Sequence, residues 1–313
     1  MGNSLFGIGE GVCKIVHRIN APLVTLAVMV NVLDAVNDGL VSGWDDPRMA
    51  TICGMRRRGY PSAAIRTFVE KIGVSKAYSV IDYALLESCV RDDLNLNADR
   101  AMAVLRPLKV VVDNYPDGKS EEISVEINPN KPELGNKTVT FSKNLFIEQD
   151  DFMLEPPGKY FRLCPTKEVR LKGAYFVKYA SHEEDENGNI TCVHVTYDPA
   201  SYGGESPDGR KVKGTLHWVS ADHAVDATVR LYDRLFNVEN PSDEEGVSSF
   251  ADNLNPESLT VLSGCKLEAS LGDAKVGDGF QFMRQGYFCL DKDSTKDNII
   301  FNRTVALKDS FKK

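Results

Sequence analysis

Apolar residues recur at helical spacing just after Pro61, at Ile65, Phe68, Val69 and Ile72. This predicts an amphipathic helix. Pro61 suits its first position, where no N–H is needed, and Gly73 suits a left-handed cap. A second helix is predicted after Ser79, with Asp82 as a weak capping-box partner. Its inner positions are read as Ile81, Leu85 and Cys89, flanked by Leu86, Val90 and Leu94. After about residue 99 the period changes to that of strands. Short apolar runs at 103–105, 109–112, 137–141, 145–147, 169–171, 174–177 and 192–197 are separated by turns such as Asp113–Gly118 and Asn187–Asn189. Further runs follow at 214–219, 227–231, 259–262, 279–282, 287–290 and 299–306. Many short strands with polar turns predict antiparallel barrels or sandwiches, and the length of this stretch favours two barrels. The expected fold is therefore mainly β: a helical region at 36–98, a first barrel at 99–200 and a second at 201–313. The last strands are free to return to the first barrel.

Charge narrows the function. The 313 residues carry 37 Lys and Arg against 45 Asp and Glu, a net charge of −8. That excludes a uniformly basic nucleic-acid binder but leaves room for local basic clefts. Arg56–Arg58, Arg162–Lys172 and Arg210–Lys213 are such clusters. The acidic runs at 150–151, 183–186 and 243–245 read as solvated loops. Seven cysteines without a Cys-x-x-Cys pair argue for reduced thiols and against a disulfide framework or zinc site. No histidine is read as standing at a metal-ligand spacing, and no metal is expected. The apolar run at 21–36 falls short of the roughly 20 residues of a membrane span and contains Asn31 and Asp34. Lys14, His17 and Arg18 precede it, without a small-residue cleavage site behind it. A cytoplasmic protein is expected.

A set of ordered motifs is more specific. Asp45-Asp46-Pro47-Arg48-Met49, Gly54-Met55-Arg56-Arg57-Arg58-Gly59-Tyr60 and Leu86-Glu87-Ser88-Cys89-Val90-Arg91-Asp92-Asp93-Leu94-Asn95 come first. Tyr160-Phe161-Arg162-Leu163, Lys167-Glu168-Val169-Arg170-Leu171 and Asp208-Gly209-Arg210-Lys211-Val212-Lys213-Gly214 follow. Leu216-His217-Trp218-Val219-Ser220, Gly286-Tyr287-Phe288-Cys289-Leu290-Asp291 and Phe301-Asn302-Arg303-Thr304-Val305 close the series. From about residue 36 to the end, this order resembles the glutaminyl-tRNA synthetases. Residues 1–35 resemble nothing in that family. Met29 stands near the family's Met-Ser-Lys-Arg loop, but Val30-Asn31-Val32 replaces Ser-Lys-Arg. Loss of one base converts codons for Ser-Lys-Arg into Val-Asn-Val, so the leader reads as a frame-shifted or truncated remnant. The spacing from Met29 to Trp44 is two residues short of the family's, so one deletion alone is not sufficient.

The resemblance implies the C-terminal, tRNA-reading portion of such an enzyme: a helical stem-contact region and two anticodon-binding barrels. Neither the His-Ile-Gly-His-like motif nor the Met-Ser-Lys-Arg loop is present in the sequence. Amino-acid activation builds charge on transferring phosphates that those cations stabilise. No ligase activity and no cofactor are expected of this chain; ATP and Mg belong to the parent enzyme. Its expected partner is tRNA(Gln), with no DNA and no membrane, and the chain is expected to be a monomer. RNA readers splay unstacked loop bases and bond their edges. The resemblance implies that Arg100, Gln281 and Arg284 surround the middle anticodon base, Arg162 the third, and Arg170 and Lys172 the first. It implies polar contacts to the loop from Asn95, Asn130 and Ser310, and backbone contacts from Lys76. Of Arg56, Arg57 and Arg58, one is expected to pair with Asp45 or Asp46 and the others to face phosphates.

Four positions depart from the family pattern. Lys172 stands for an arginine and loses the planar fork; Lys159, Phe161 and Met283 replace a glutamine, a lysine and a glutamate. Trp44, Trp218, Phe161, Tyr287 and Phe288 are read as core residues, not stacking platforms. Two alternatives keep the architecture: a glutamyl-tRNA synthetase portion, or a β-barrel interaction module without an RNA role.

Overall fold

The chain is described by a computed structural model over residues 33, 35–73, 81–238 and 250–308. Among the described residues the N-terminal side holds the helices α1 (Ile52–Arg58), α2 (Ser62–Ile72) and α3 (Tyr83–Asn97). Thr51 caps α1 by accepting the Gly54 N–H at 2.9 Å. Gly59 ends α1 in the left-handed region at φ 94°, with Arg56, Arg57 and Arg58 in the last turn, where the helix dipole favours cations. Pro61 is the extended N-cap of α2, one residue outside the position predicted for it, and Gly73 closes that helix at φ 66°. Asp82 caps α3, taking the Ala84 N–H at 2.9 Å; Ser79 lies outside the described residues. Leu86, Cys89, Val90 and Leu94 are the buried face of α3. Ile81, expected inside, precedes the cap and is exposed.

Strands follow in chain order. The first six are β1 (Asp99–Ala101), β2 (Ala103–Val104), β3 (Pro107–Val112), β4 (Ser120–Glu126), β5 (Asn136–Ser142) and β6 (Asn144–Glu148). Next come β7 (Glu168–Leu171), β8 (Phe176–Glu184), β9 (Ile190–Asp198), β10 (Gly214–Leu216) and β11 (Val219–Ser220). The chain ends with β12 (Val225–Tyr232), β13 (Leu259–Leu267), β14 (Gly279–Phe282), β15 (Gly286–Leu290) and β16 (Ile299–Ala306). One sheet has the order β1-β14-β15-β16-β12-β13-β2 and the other β10-β7-β8-β9-β3-β6-β11, with β4-β5 as a separate ribbon.

Both large sheets are barrel-like, and the connectivity shows why. Only Met102 separates β1 from β2, yet these strands stand at opposite edges of their sheet. Only His217 and Trp218 separate β10 from β11, again at opposite edges. Each sheet must curl until its edges meet. At the second seam Trp218 is fully buried, and its indole N–H donates to the Lys172 carbonyl at 3.0 Å. Trp218 packs edge-on against Phe141 within one core. The second core centres on Phe282, Phe288 and Phe301.

Strand membership does not follow a division at residue 200. β1 and β2 join the sheet of the C-terminal strands, because β1 runs parallel to β14 and β2 pairs with β13. Conversely, β10 and β11 close the sheet of the earlier strands. Two strands were missed from sequence. β4 has only Ile123 and Val125 as buried apolar positions among alternating Ser and Glu, and β1 holds Arg100 between Asp99 and Ala101.

Candidate nucleic-acid interface

A 3-10 turn at Gln149–Asp151 follows β6 and places Asp151 in the interior, with no exposed surface. The acidic pair at 150–151 predicts a solvated loop instead. The neighbours of Asp151 explain the burial. Arg284 Nη1 and Nη2 each donate to one Asp151 carboxylate oxygen at 2.6 Å. Arg162 Nη1 lies 3.3 Å from the same carboxylate and donates to the Asp150 carbonyl at 2.8 Å. Arg284 occupies the connection between β14 and β15 with φ 68°, the one non-glycine residue at positive φ among the described residues. Such a conformation costs energy that the surroundings must offset. The two-point ion pair provides that compensation and raises the Arg284 pKa against the effect of burial.

A second carboxylate knits the same region. Glu148 accepts the backbone N–H of Leu105 at 2.7 Å and of Arg106 at 3.0 Å. It also accepts Gln285 Nε2 at 2.8 Å, and His217 Nε2 lies 3.5 Å away. His217, at the barrel seam, sits 3.5 Å from Arg284 Nη1 through its other nitrogen. Asp151, Glu148 and His217 were not foreseen. Asp151 carried only the signal of an acidic pair, Glu148 falls in none of the ordered motifs, and His217 stands in the Leu216–Ser220 motif, which holds no arginine.

Arg100, on β1, stands opposite Gln281 in the β1–β14 register. Its guanidinium donates to the carbonyls of Ala98 at 2.7 Å and Asn95 at 2.8 Å, and to Asn95 Oδ1 at 3.3 Å. Asn130 Nδ2 donates to the same Asn95 carbonyl at 2.7 Å. The final carbonyls of α3, which have no partner within the helix, are satisfied by these side chains. Asn95, Arg100 and Asn130 are therefore one cluster. Burial pushes the Arg100 pKa below its ordinary value. Arg100, Lys172 and Met283 line one small cleft together with Lys137 and Glu268. Lys137 Nζ donates to the Arg100 carbonyl at 2.7 Å and pairs with Glu268. Gln281, half-buried, makes no side-chain hydrogen bond among the described residues.

The grouping of residues thus differs from the one implied by resemblance. Arg162 joins Arg284, while Lys172 joins Arg100. Arg170 stands apart, its guanidinium 5.3 Å from the Phe176 ring and its Nε buried without a partner among the described residues. Arg210 lies 5.2 Å from the same ring, held by Glu168, Asp208 and Asp198. Lys76 and Ser310 lie outside the described residues.

The triple arginine divides three ways. Arg57 pairs with Asp45 at 3.3 Å, but more closely with the fully buried Asp291 at 2.9 Å and with Asp293 at 2.5 Å. Arg58, placed in the group expected to face phosphates, is buried and donates to the carbonyls of Thr304 at 3.0 Å and Tyr232 at 3.3 Å. Three carboxylates hold Arg57, and backbone carbonyls hold Arg58; Arg56 alone of the three is exposed. Asp46 pairs with Arg48 instead, at 2.8 Å.

Two aromatic expectations are corrected. Trp44 is 49 % exposed and takes no part in the small core of Ala35, Val41, Met49 and Leu235. Phe161 is 52 % exposed, with the ammonium groups of Lys167 and Lys213 each 5.7 Å from its ring. The interior there is occupied by Leu163 and Trp218. The histidine reading also changes. Cys192 and His194 alternate on β9, and with Glu183 they bring one ligand atom each within 4.8 Å. Both His194 nitrogens are taken by carboxylates, Asp113 at 2.7 Å and Glu183 at 3.1 Å, which raise its pKa.

Comparison with known proteins gives these clusters a context. Residues 98–198 and 215–291 each match an anti-codon binding domain of class I tRNA synthetases (E and Q). Residues 31–96 match the catalytic domain of the same class. A glutamine–tRNA ligase of Bradyrhizobium diazoefficiens is 50% identical over 296 residues, 95% of this chain and 52% of that protein. One of Vibrio vulnificus is 52% identical over 279 residues, 89% of this chain and 50% of that protein. The chain belongs to the glutaminyl-tRNA synthetase family. It spans about half the length of the curated relatives it matches. Two expectations are adjusted by these matches. The helical segment read as a separate stem-contact unit is matched as part of a catalytic domain. Residues 1–35 are not wholly unmatched, because an alignment covering 95% of the chain must enter them.

Proposed function

We propose that this chain docks tRNA(Gln) and reads its anticodon loop, as the recognition portion of a glutamine–tRNA ligase. The full reaction would join L-glutamine to tRNA(Gln) with ATP. The observation that carries this reading is the Asp151 carboxylate. It gathers Arg162 from one matched anti-codon binding domain and Arg284 from the other. Paired domains thereby present forked donors side by side, as the reading of splayed bases requires. Arg100, Asn95 and Asn130 supply a second group of polar atoms around Gln281.

In this reading the chain alone charges no tRNA and binds no ATP or Mg, works as a monomer in the cytoplasm, and has no DNA partner. No described helix is long and apolar enough to cross a membrane. Filter binding with tRNA(Gln) and an anticodon-swapped tRNA tests the reading. Tighter, salt-sensitive binding of the cognate tRNA is expected. Equal affinity for both would refute anticodon reading.

A further inference from the structure

Away from both clusters, a small cleft opens where α1 and α3 meet the end of β12 and β16. Its walls carry Arg58, Arg91, Arg234, Arg303 and Lys308 against only two carboxylates, Glu87 and Asp233. The cations differ in what already holds them. Arg58 is committed to backbone carbonyls. Arg234 lies 3.6 Å from Glu87 and 3.8 Å from Asp82. Arg303 donates one hydrogen bond, from Nη2 to the Tyr232 carbonyl at 3.1 Å, the carbonyl that Arg58 also uses. Arg91 and Lys308 make no ion pair or side-chain hydrogen bond among the described residues.

Like charges are therefore held together in a partly buried place. Burial and the nearby Arg58 cation both lower the Arg303 pKa, while Asp233 and Glu87 offset them only in part. An anion seated between Arg91, Arg303 and Lys308 would relieve this repulsion and accept their open donors. Arginine forks suit the tetrahedral oxygens of phosphate.

We propose that this cleft binds a phosphate group, supplied by the tRNA backbone. The source of the phosphate rests on the tRNA-docking reading above; the site itself does not. Backbone phosphate contacts position an RNA without reading its sequence. The site should therefore add affinity equally for cognate and anticodon-swapped tRNA.

The test uses Arg91→Gln in the full chain, since Arg91 makes no ion pair or side-chain hydrogen bond among the described residues, with Arg303→Lys as a second variant that keeps the charge but loses the fork. In filter binding, Arg91→Gln should weaken both tRNAs by about tenfold. The slope of log affinity against log salt should fall in magnitude by about one. A parallel arm titrates inorganic phosphate alone and follows thermal unfolding. Protection of the unaltered chain that is lost in Arg91→Gln establishes a phosphate site even if the chain binds no tRNA. That outcome with unchanged tRNA affinity would assign the cleft to free phosphate and overturn the backbone assignment. No change in either arm, for both variants, would overturn the site itself.

Discussion

Arg284 and Asp151 face each other through two parallel contacts of 2.6 Å, with the carboxylate fully buried and the arginine one-third exposed. The buried partner fixes where the fork sits, and the exposed part leaves donors for a ligand. Arg162, 41 % exposed, approaches the same carboxylate from another loop. One acid thus sets the spacing of two arginines that the sequence separates widely.

Arg284→Ala should weaken tRNA(Gln) binding by about 1–3 kcal/mol if the arginine reads a base edge. An anticodon-swapped tRNA should lose less. It should also lower chemical-denaturation stability, because Asp151 keeps only its longer contact to Arg162. Equal losses for the two tRNAs in filter binding would make Arg284 a positioning residue rather than a reader.

Asp46 gives a pH prediction. Burial opposes its ionisation, but Arg48 and the backbone N–H groups of Ser42 and Arg48 outweigh burial and lower its pKa from 3.8 to about 2. A carboxylate depressed in the folded state stabilises the fold above its unfolded pKa, and that stability drains away as pH falls toward the folded value. The contribution near neutrality is about 2 kcal/mol. Asp46→Asn should lose it at pH 7 and show a shallower decline in stability between pH 3.8 and about 2. Urea denaturation across that pH range checks both parts.

How much of this was legible in the sequence follows from what each residue's signal depends on. The helical spacing on α3 was legible but its face was read off-centre: Leu86, Val90 and Leu94, placed at the flanks, are buried beside Cys89, while Leu85 is only partly buried and Ile81 is exposed. Most strands were visible as apolar runs between turns. The seams were not, since edge pairing of β1 with β14 or β10 with β7 is a long-range event with no local trace. Asp151 was misread for a related reason. Adjacent acids at 150–151 look solvated until two distant arginines are placed beside one of them. The arginines were found by resemblance, but their partition between two clusters depends on the three-dimensional path of β14.

Gly59 joins α1 to the C-terminal sheet at close range. A Cβ built there would lie 2.4 Å from Cys289 Cβ and 2.7 Å from Thr304 Oγ1, and φ is already 94°. Gly59→Ala should therefore destabilise the chain by about 1–3 kcal/mol through overpacking, with left-handed strain added. A lower thermal midpoint than the parent is expected. An unchanged midpoint would mean that α1 shifts freely on the sheet, which its Arg57–Asp291 pair argues against.

Arg100 has two possible duties, and a conservative change separates them. Its fork caps the end of α3 through the Ala98 and Asn95 carbonyls, at 2.7 and 2.8 Å. Lysine keeps the charge but offers one nitrogen, so Arg100→Lys should lose at least one of these bonds and about 1 kcal/mol of stability. If the remaining guanidinium donors also read the middle anticodon base beside Gln281, the same variant should erase much of the preference for cognate over swapped tRNA. Its salt dependence should stay unchanged, because the charge is retained. A stability loss with anticodon preference intact would leave Arg100 as a helix cap and place the reading of that base on Gln281 and Arg284.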